Sequence, residues 1–173
     1  MSEHSGSPVA EKEEKYGALL AALTPLITSQ RCRIANMANT SALVFETLNS
    51  WVPSGERYTN WAGFYIVDNE AEVVSLGPFQ GGTARVTIKF GKGVCGTTAA
   101  AGETTVVPNV HEFPGHIACD CDSESEIVVP VFDANNTLVA IIDIDSPVLA
   151  RFDDADKAGL EAIAQLLGQS SDW

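Results

Sequence analysis

Helical patterning at both ends of this chain brackets a run of short strand-like segments, and that order limits the folds open to it. Tyr16, Leu19, Leu20 and Leu23 recur at helical spacing, and Pro25 perturbs the run. A second helical pattern runs near Cys32 to Leu48, with Ile34, Met37, Phe45 and Leu48 on one face; Pro53, Ser54 and Gly55 end it. Trp61 to Val67 and Val73 to Leu76 then read as a hairpin across the acidic turn Asp68 to Glu70, and Arg85 to Phe90 reads as a third strand. The small-residue stretch Gly93 to Ala101 suggests a short helix, and Thr104 to Val107 a brief strand. Two apolar strands, Ile127 to Phe132 and Leu138 to Ile144, join across the turn-rich Asp133 to Asn136. Asp153 caps a last helix whose inner face is Leu160, Ile163, Leu166 and Leu167. This order predicts an α+β sandwich, a central antiparallel sheet covered by N- and C-terminal helices.

A chain of 173 residues fits a single domain, assigned to residues 11–173 behind a polar leader, residues 1–10, expected to be disordered. Ten basic against 23 acidic side chains leave a net charge of −13, which repels phosphate backbones and anionic lipid. Neither nucleic acid nor membrane is therefore an expected partner. There is no apolar run of about 18 residues, and the N-terminus lacks the apolar core of a secretory signal. Four cysteines are too few for a secreted disulfide scaffold. A cytoplasmic location follows, where a disulfide would be transient and catalytic.

The chemistry is concentrated between Gly91 and Pro130. Cys95 follows Gly93 near the start of the short helix, where the dipole favours a thiolate, although taken alone packing among Ala and Gly is the stronger explanation. Cys119 lies in GHIACDCD, flanked by His116, Asp120 and Cys121, inside a long unpatterned loop from Asn109 to Ser125. A reactive thiol and a buried small hydrophobe are even readings of it. Strand alternation puts Trp61, Gly63 and Tyr65 on one face, and Asp143 and Asp145 together in IIDIDS. The two aspartates either emerge into solvent or converge with Glu126 on a pocket, where repulsion would raise at least one pKa toward neutrality. His111, His116, Cys119 and Cys121 match neither the Cys-x-x-Cys nor the His-x-x-x-His spacing, so no zinc is expected there. GKG at Gly91 to Gly93 lacks phosphate-loop spacing, and no cofactor is expected.

The motifs NWAGFY (Asn60 to Tyr65), LGPFQG (Leu76 to Gly81), FGKGVCG (Phe90 to Gly96), HEFPGHIACD (His111 to Asp120) and SEIVVP (Ser125 to Pro130) closely resemble those of the free methionine-(R)-sulfoxide reductases, stand-alone GAF-domain enzymes. The resemblance runs from about Tyr16 to the last helix and implies a GAF-like fold. It also implies that Cys119 is the nucleophile that attacks the sulfoxide, becoming a sulfenic acid, and that Cys95 resolves it as a disulfide for a thioredoxin-like reductant. Glu126, Asp143 and Asp145 match positions that bind the substrate ammonium and polarise the sulfoxide oxygen. Trp61 and Tyr65 match the wall around the substrate methyl group. The implied partner is free methionine-(R)-sulfoxide, and a homodimer is frequent among relatives. Many relatives carry a further cysteine where this chain has Arg85. The alternative function is a non-catalytic GAF-type module that binds a small molecule.

Overall fold

Six antiparallel strands form one sheet in the order β3-β2-β1-β6-β5-β4. They are β1 (Trp61–Asp68), β2 (Val73–Gly81), β3 (Thr87–Lys89), β4 (Thr105–Val107), β5 (Ser125–Phe132) and β6 (Leu138–Ser146). The helices are α1 (Pro8–Thr28), α2 (Arg33–Ser50), α3 (Gly93–Ala101) and α4 (Asp154–Ser170), with a short 3-10 turn at Val110–Glu112. This computed structural model describes residues 8–53, 55, 58–115 and 122–173.

Period-two alternation in the central strands sends two apolar sets to opposite faces of the sheet. Ala62 and Phe64 of β1, Ile127, Val129 and Val131 of β5, and Ile142 and Ile144 of β6 meet α1, α2 and α4. Leu23, Ile27, Met37, Leu48, Leu160, Ile163 and Leu167 complete that larger core. On the other face Trp61, Tyr65, Val74, Ile88, Val128 and Ile141 pack beneath α3, which contributes Val94, Cys95 and Ala99. The expected sandwich therefore has a second, smaller cover that the terminal helices do not supply.

Asp153 and Asp156 start α4 with a reciprocal capping box. The Asp156 carboxylate also accepts from Tyr16 Oη at 2.8 Å, Arg151 Nη1 at 2.8 Å and Lys12 Nζ at 2.5 Å, which ties α1 to α4. Three elements differ from their sequence patterns. α1 continues through Pro25, because Leu23 and Ile27 on either side of it are both fully buried. It also begins at Pro8, inside the stretch expected as leader. β2 extends past Leu76 to Gly81: Gly63 pairs with Phe79 and Tyr65 with Leu76, so β2 bulges at Gly77 and Pro78. A proline lacks the N–H for a ladder bond and is tolerated at such a bulge. The expected loop from Asn109 to Ser125 holds the 3-10 turn and yields Ser125 to β5. No described helix is long and apolar enough to cross a membrane.

Candidate active site

Register assembles the site on the α3 face. Trp61 lies opposite Asp145, which lies opposite Glu126; one step along, Gly63 lies opposite Asp143. Directly opposed residues share a face, so the sheet itself brings Trp61, Glu126, Asp143 and Asp145 together. α3 lies over them and lowers Cys95 between the acids. Its Sγ stands 3.2 Å from Asp143 Oδ2 and 3.9 Å from Glu126 Oε1. Gly93 opens this helix at a φ of +58°, and Gly96 sits where any Cβ would strike the Lys89 carbonyl. Glycine thus permits the close seating of α3 that delivers the thiol.

Asp143 and Asp145 end an apolar strand, but they do not emerge into solvent; their exposures are 3% and 5%, and that of Glu126 is 5%. Burial first, and then the neighbouring Asp145 charge, pushes the Glu126 carboxyl well above its ordinary value. Burial and Glu126 do the same to Asp143. Cys95 is also pushed well up, by burial first and then by Asp143, Glu126 and Asp145. This reverses the expectation from the helix dipole: near a helix start, desolvation and three acids outweigh a partial positive charge. The thiol is thus held toward its protonated form, and burial likewise favours the neutral form of the carboxyls. Asp143 Oδ1 is buried without a hydrogen-bond partner among the described residues.

Aromatic rings form the adjoining wall. Trp61 stacks on Tyr65 with centroids 6.0 Å apart and on Phe79 at 5.2 Å, and its indole N–H donates to the Gly82 carbonyl. Sequence reasoning missed Phe79, since Gly77 and Pro78 before it mimic a turn. It also assigned nothing to Asn60, whose side-chain amide donates to Ser123 Oγ at 3.0 Å and anchors the return of the loop that carries Cys119. Cys119 itself, with His116, Asp120 and Cys121, lies outside the described residues. Of the weighed metal set only His111 is described; it is exposed and 3.3 Å from a Glu124 oxygen. Arg85 is exposed between β2 and β3 and forms no ion pair among the described residues. A groove of about 570 Å³ opens between α4 and the far end of β5, and none of the site residues lines it.

A grouping of three buried acids, a thiol and stacked aromatic rings has the chemistry to meet a small cationic molecule with an apolar end and do thiol chemistry beside it. The GAF domain family matches residues 13–170. The chain is 42% identical to a free methionine-R-sulfoxide reductase of Saccharomyces cerevisiae, over 92% of this chain and 87% of the relative. It is 43% identical to the Escherichia coli protein of that name, over 90% and 88% respectively. The X-ray structure of free methionine-R-sulfoxide reductase from Neisseria meningitidis in complex with its substrate superimposes with a TM-score of 0.82 at 36% identity, covering 97% of this chain and 93% of that one. The chain belongs to the GAF-domain family and, within it, to the free methionine-R-sulfoxide reductases.

Proposed function

We propose that this protein reduces free L-methionine-(R)-sulfoxide to methionine with thiols. The observation that carries the reading is the buried grouping of Cys95 with Glu126 and Asp143 beside the Trp61 stack, in a chain of this family. The substrate ammonium fits the carboxylates and its S-methyl group fits the aromatic wall. A methionine sulfoxide inside a polypeptide has no free ammonium and would leave buried acids unpaired, so selection for the free amino acid has a physical cause.

In the first step the Cys119 thiolate attacks the sulfoxide sulfur. A carboxyl of Glu126 or Asp143, whose neutral form burial favours, gives a proton to the oxygen. Oxygen passes to Cys119 as a sulfenic acid and methionine leaves, so two electrons move from the thiol to the substrate. Cys95 then attacks the sulfenic sulfur, water departs, and a Cys119–Cys95 disulfide forms. A thioredoxin-like dithiol reduces it, regenerating both thiols. The elevated pKa of Cys95 keeps this thiol protonated and quiet until the neighbouring charge changes. A cytoplasmic setting, where such a dithiol is maintained, suits the cycle. Replacement of Cys119 by serine tests the assignment: methionine release should be abolished, and retained release overturns it.

A further inference from the structure

The same thiol and two carboxylates meet the geometric demands of a metal ion. One ligand atom from each of Cys95, Glu126 and Asp143 lies within 4.8 Å of the other two. Around a tetrahedral zinc ion, with sulfur at about 2.3 Å and oxygen at about 2.0 Å, sulfur and oxygen donors stand roughly 3.5 Å apart. The sulfur-to-oxygen spacings here, 3.2 Å and 3.9 Å, straddle that value. Shifts of about 0.4 Å would bring both sulfur-to-oxygen spacings to that value. All three residues are buried, and Asp143 Oδ1 has no hydrogen-bond partner among the described residues. Three protein ligands leave a fourth position open to water or another small ligand, whereas closed structural zinc sites use four protein ligands. A thiolate among the donors favours zinc-class ions over magnesium or calcium.

We infer that Cys95, Glu126 and Asp143 form a reversible binding site for a thiophilic divalent cation such as zinc, which silences the protein by holding Cys95 as a metal thiolate. Binding exchanges the thiol proton, together with any proton held on the two carboxyls, for the ion and releases them to solvent; no electrons move. The bound ion occupies the carboxylates that would meet the substrate ammonium and withholds the sulfur from disulfide exchange. This consequence rests on the proposed reductase reading; the binding itself does not.

Titration of fully reduced protein with cobalt(II) tests the site. The expected result is a thiolate-to-cobalt charge-transfer band in the near ultraviolet that saturates at one equivalent and is displaced by zinc but not by magnesium. The band should survive Cys32→Ser, disappear in Cys95→Ser, and require at least about tenfold more cobalt in Asp143→Asn, since even outer ligands alter metal affinity by that much. Circular dichroism establishes that each variant is folded. No band in the wild type, or a band that survives Cys95→Ser, overturns the inference. In parallel, single turnover of free methionine-(R)-sulfoxide is followed in pre-reduced protein without added dithiol, which would itself chelate zinc. Turnover with no cobalt band removes the metal site and leaves the reductase; a band with no turnover of the metal-free protein does the reverse. Unchanged single turnover at saturating zinc overturns the silencing role.

Discussion

Replacing Gly63 with alanine should strain the fold and the site together. Gly63 lies on β1 between Trp61 and Tyr65, opposite both Asp143 and Phe79. A Cβ there would collide with Phe79 Cβ, and would come to 2.6 Å from Trp61 Cη2 and 2.9 Å from Phe79 Cα. Carbon atoms pack at about 3.5 Å or more, so the Trp61 ring is short of room by roughly 1 Å. The Phe79 Cα is backbone and cannot rotate away. Overpacking of this kind costs about 1–3 kcal/mol, which in a domain of this size lowers Tm by roughly 2–12 °C. Relief by tilting the Trp61 ring would also disturb its stack on Phe79, so KM for the sulfoxide should rise more than kcat falls. Thermal unfolding followed by circular dichroism, with steady-state kinetics on the same sample, reads both effects. Gly17→Ala is the control. Gly17 is exposed within α1 and has nothing within 4 Å of its would-be Cβ, so alanine there should stabilise by about 0.5–1 kcal/mol. A Gly63→Ala protein with unchanged Tm and KM would refute the reasoning.

Three further outcomes are expected. Cys95→Ser should release one methionine per enzyme and then stall; normal multiple turnover would make Cys121 the resolving thiol. Asp156→Ala should cost about 3–5 kcal/mol in urea unfolding, because it leaves Arg151, whose side chain is wholly buried, without its carboxylate; a loss under about 1 kcal/mol contradicts this account of the α1–α4 junction. Burial alone would raise the Asp153 carboxyl, but Lys12 and the Asp156 amide outweigh it and lower the pKa to about 2 from 3.8. A depressed carboxylate stabilises the fold above its unfolded pKa and loses that contribution as pH falls through the folded one. The stability gap between wild type and Asp153→Asn should therefore be steady above pH ~5 and shrink between about 4 and 2; a gap that does not change in that window rejects the role of the charge.

The sequence patterns identified the α3 boundaries and much of the larger core, because each rests on local chemistry, but Ile34, set at helical spacing with Met37 and Leu48, is 49% exposed. Leu160, Ile163 and Leu167 repeat at helical spacing, and Gly93 and Gly102 bound α3 at positive φ. Alternation also grouped Trp61 with Tyr65 and Asp143 with Asp145, but that the two groups share one face of the sheet is set by the β1–β6 register. The burial of the two aspartates was not legible, since it depends on α3 packing over a sheet face from elsewhere in the chain. The direction of the Cys95 shift was lost for the same reason: helix position is local, whereas the three acids that oppose ionisation arrive from β5 and β6. The far half of β2 was missed because Gly77 and Pro78 resemble a turn until β1 is seen to pair across the bulge. With it went Phe79, one of the walls of the site.

The central claim is selective reduction of a free amino acid, and the most direct test compares three substrates with dithiothreitol as the reductant. These are free L-methionine-(R)-sulfoxide, its (S) epimer and the N-acetylated (R) form, with the methionine product measured in each case. Turnover of the free (R) form alone is the predicted result, since acetylation removes the ammonium that the proposed role of the buried acids calls for. No turnover of the free (R) form, or equal turnover of its acetylated form, would contradict the account.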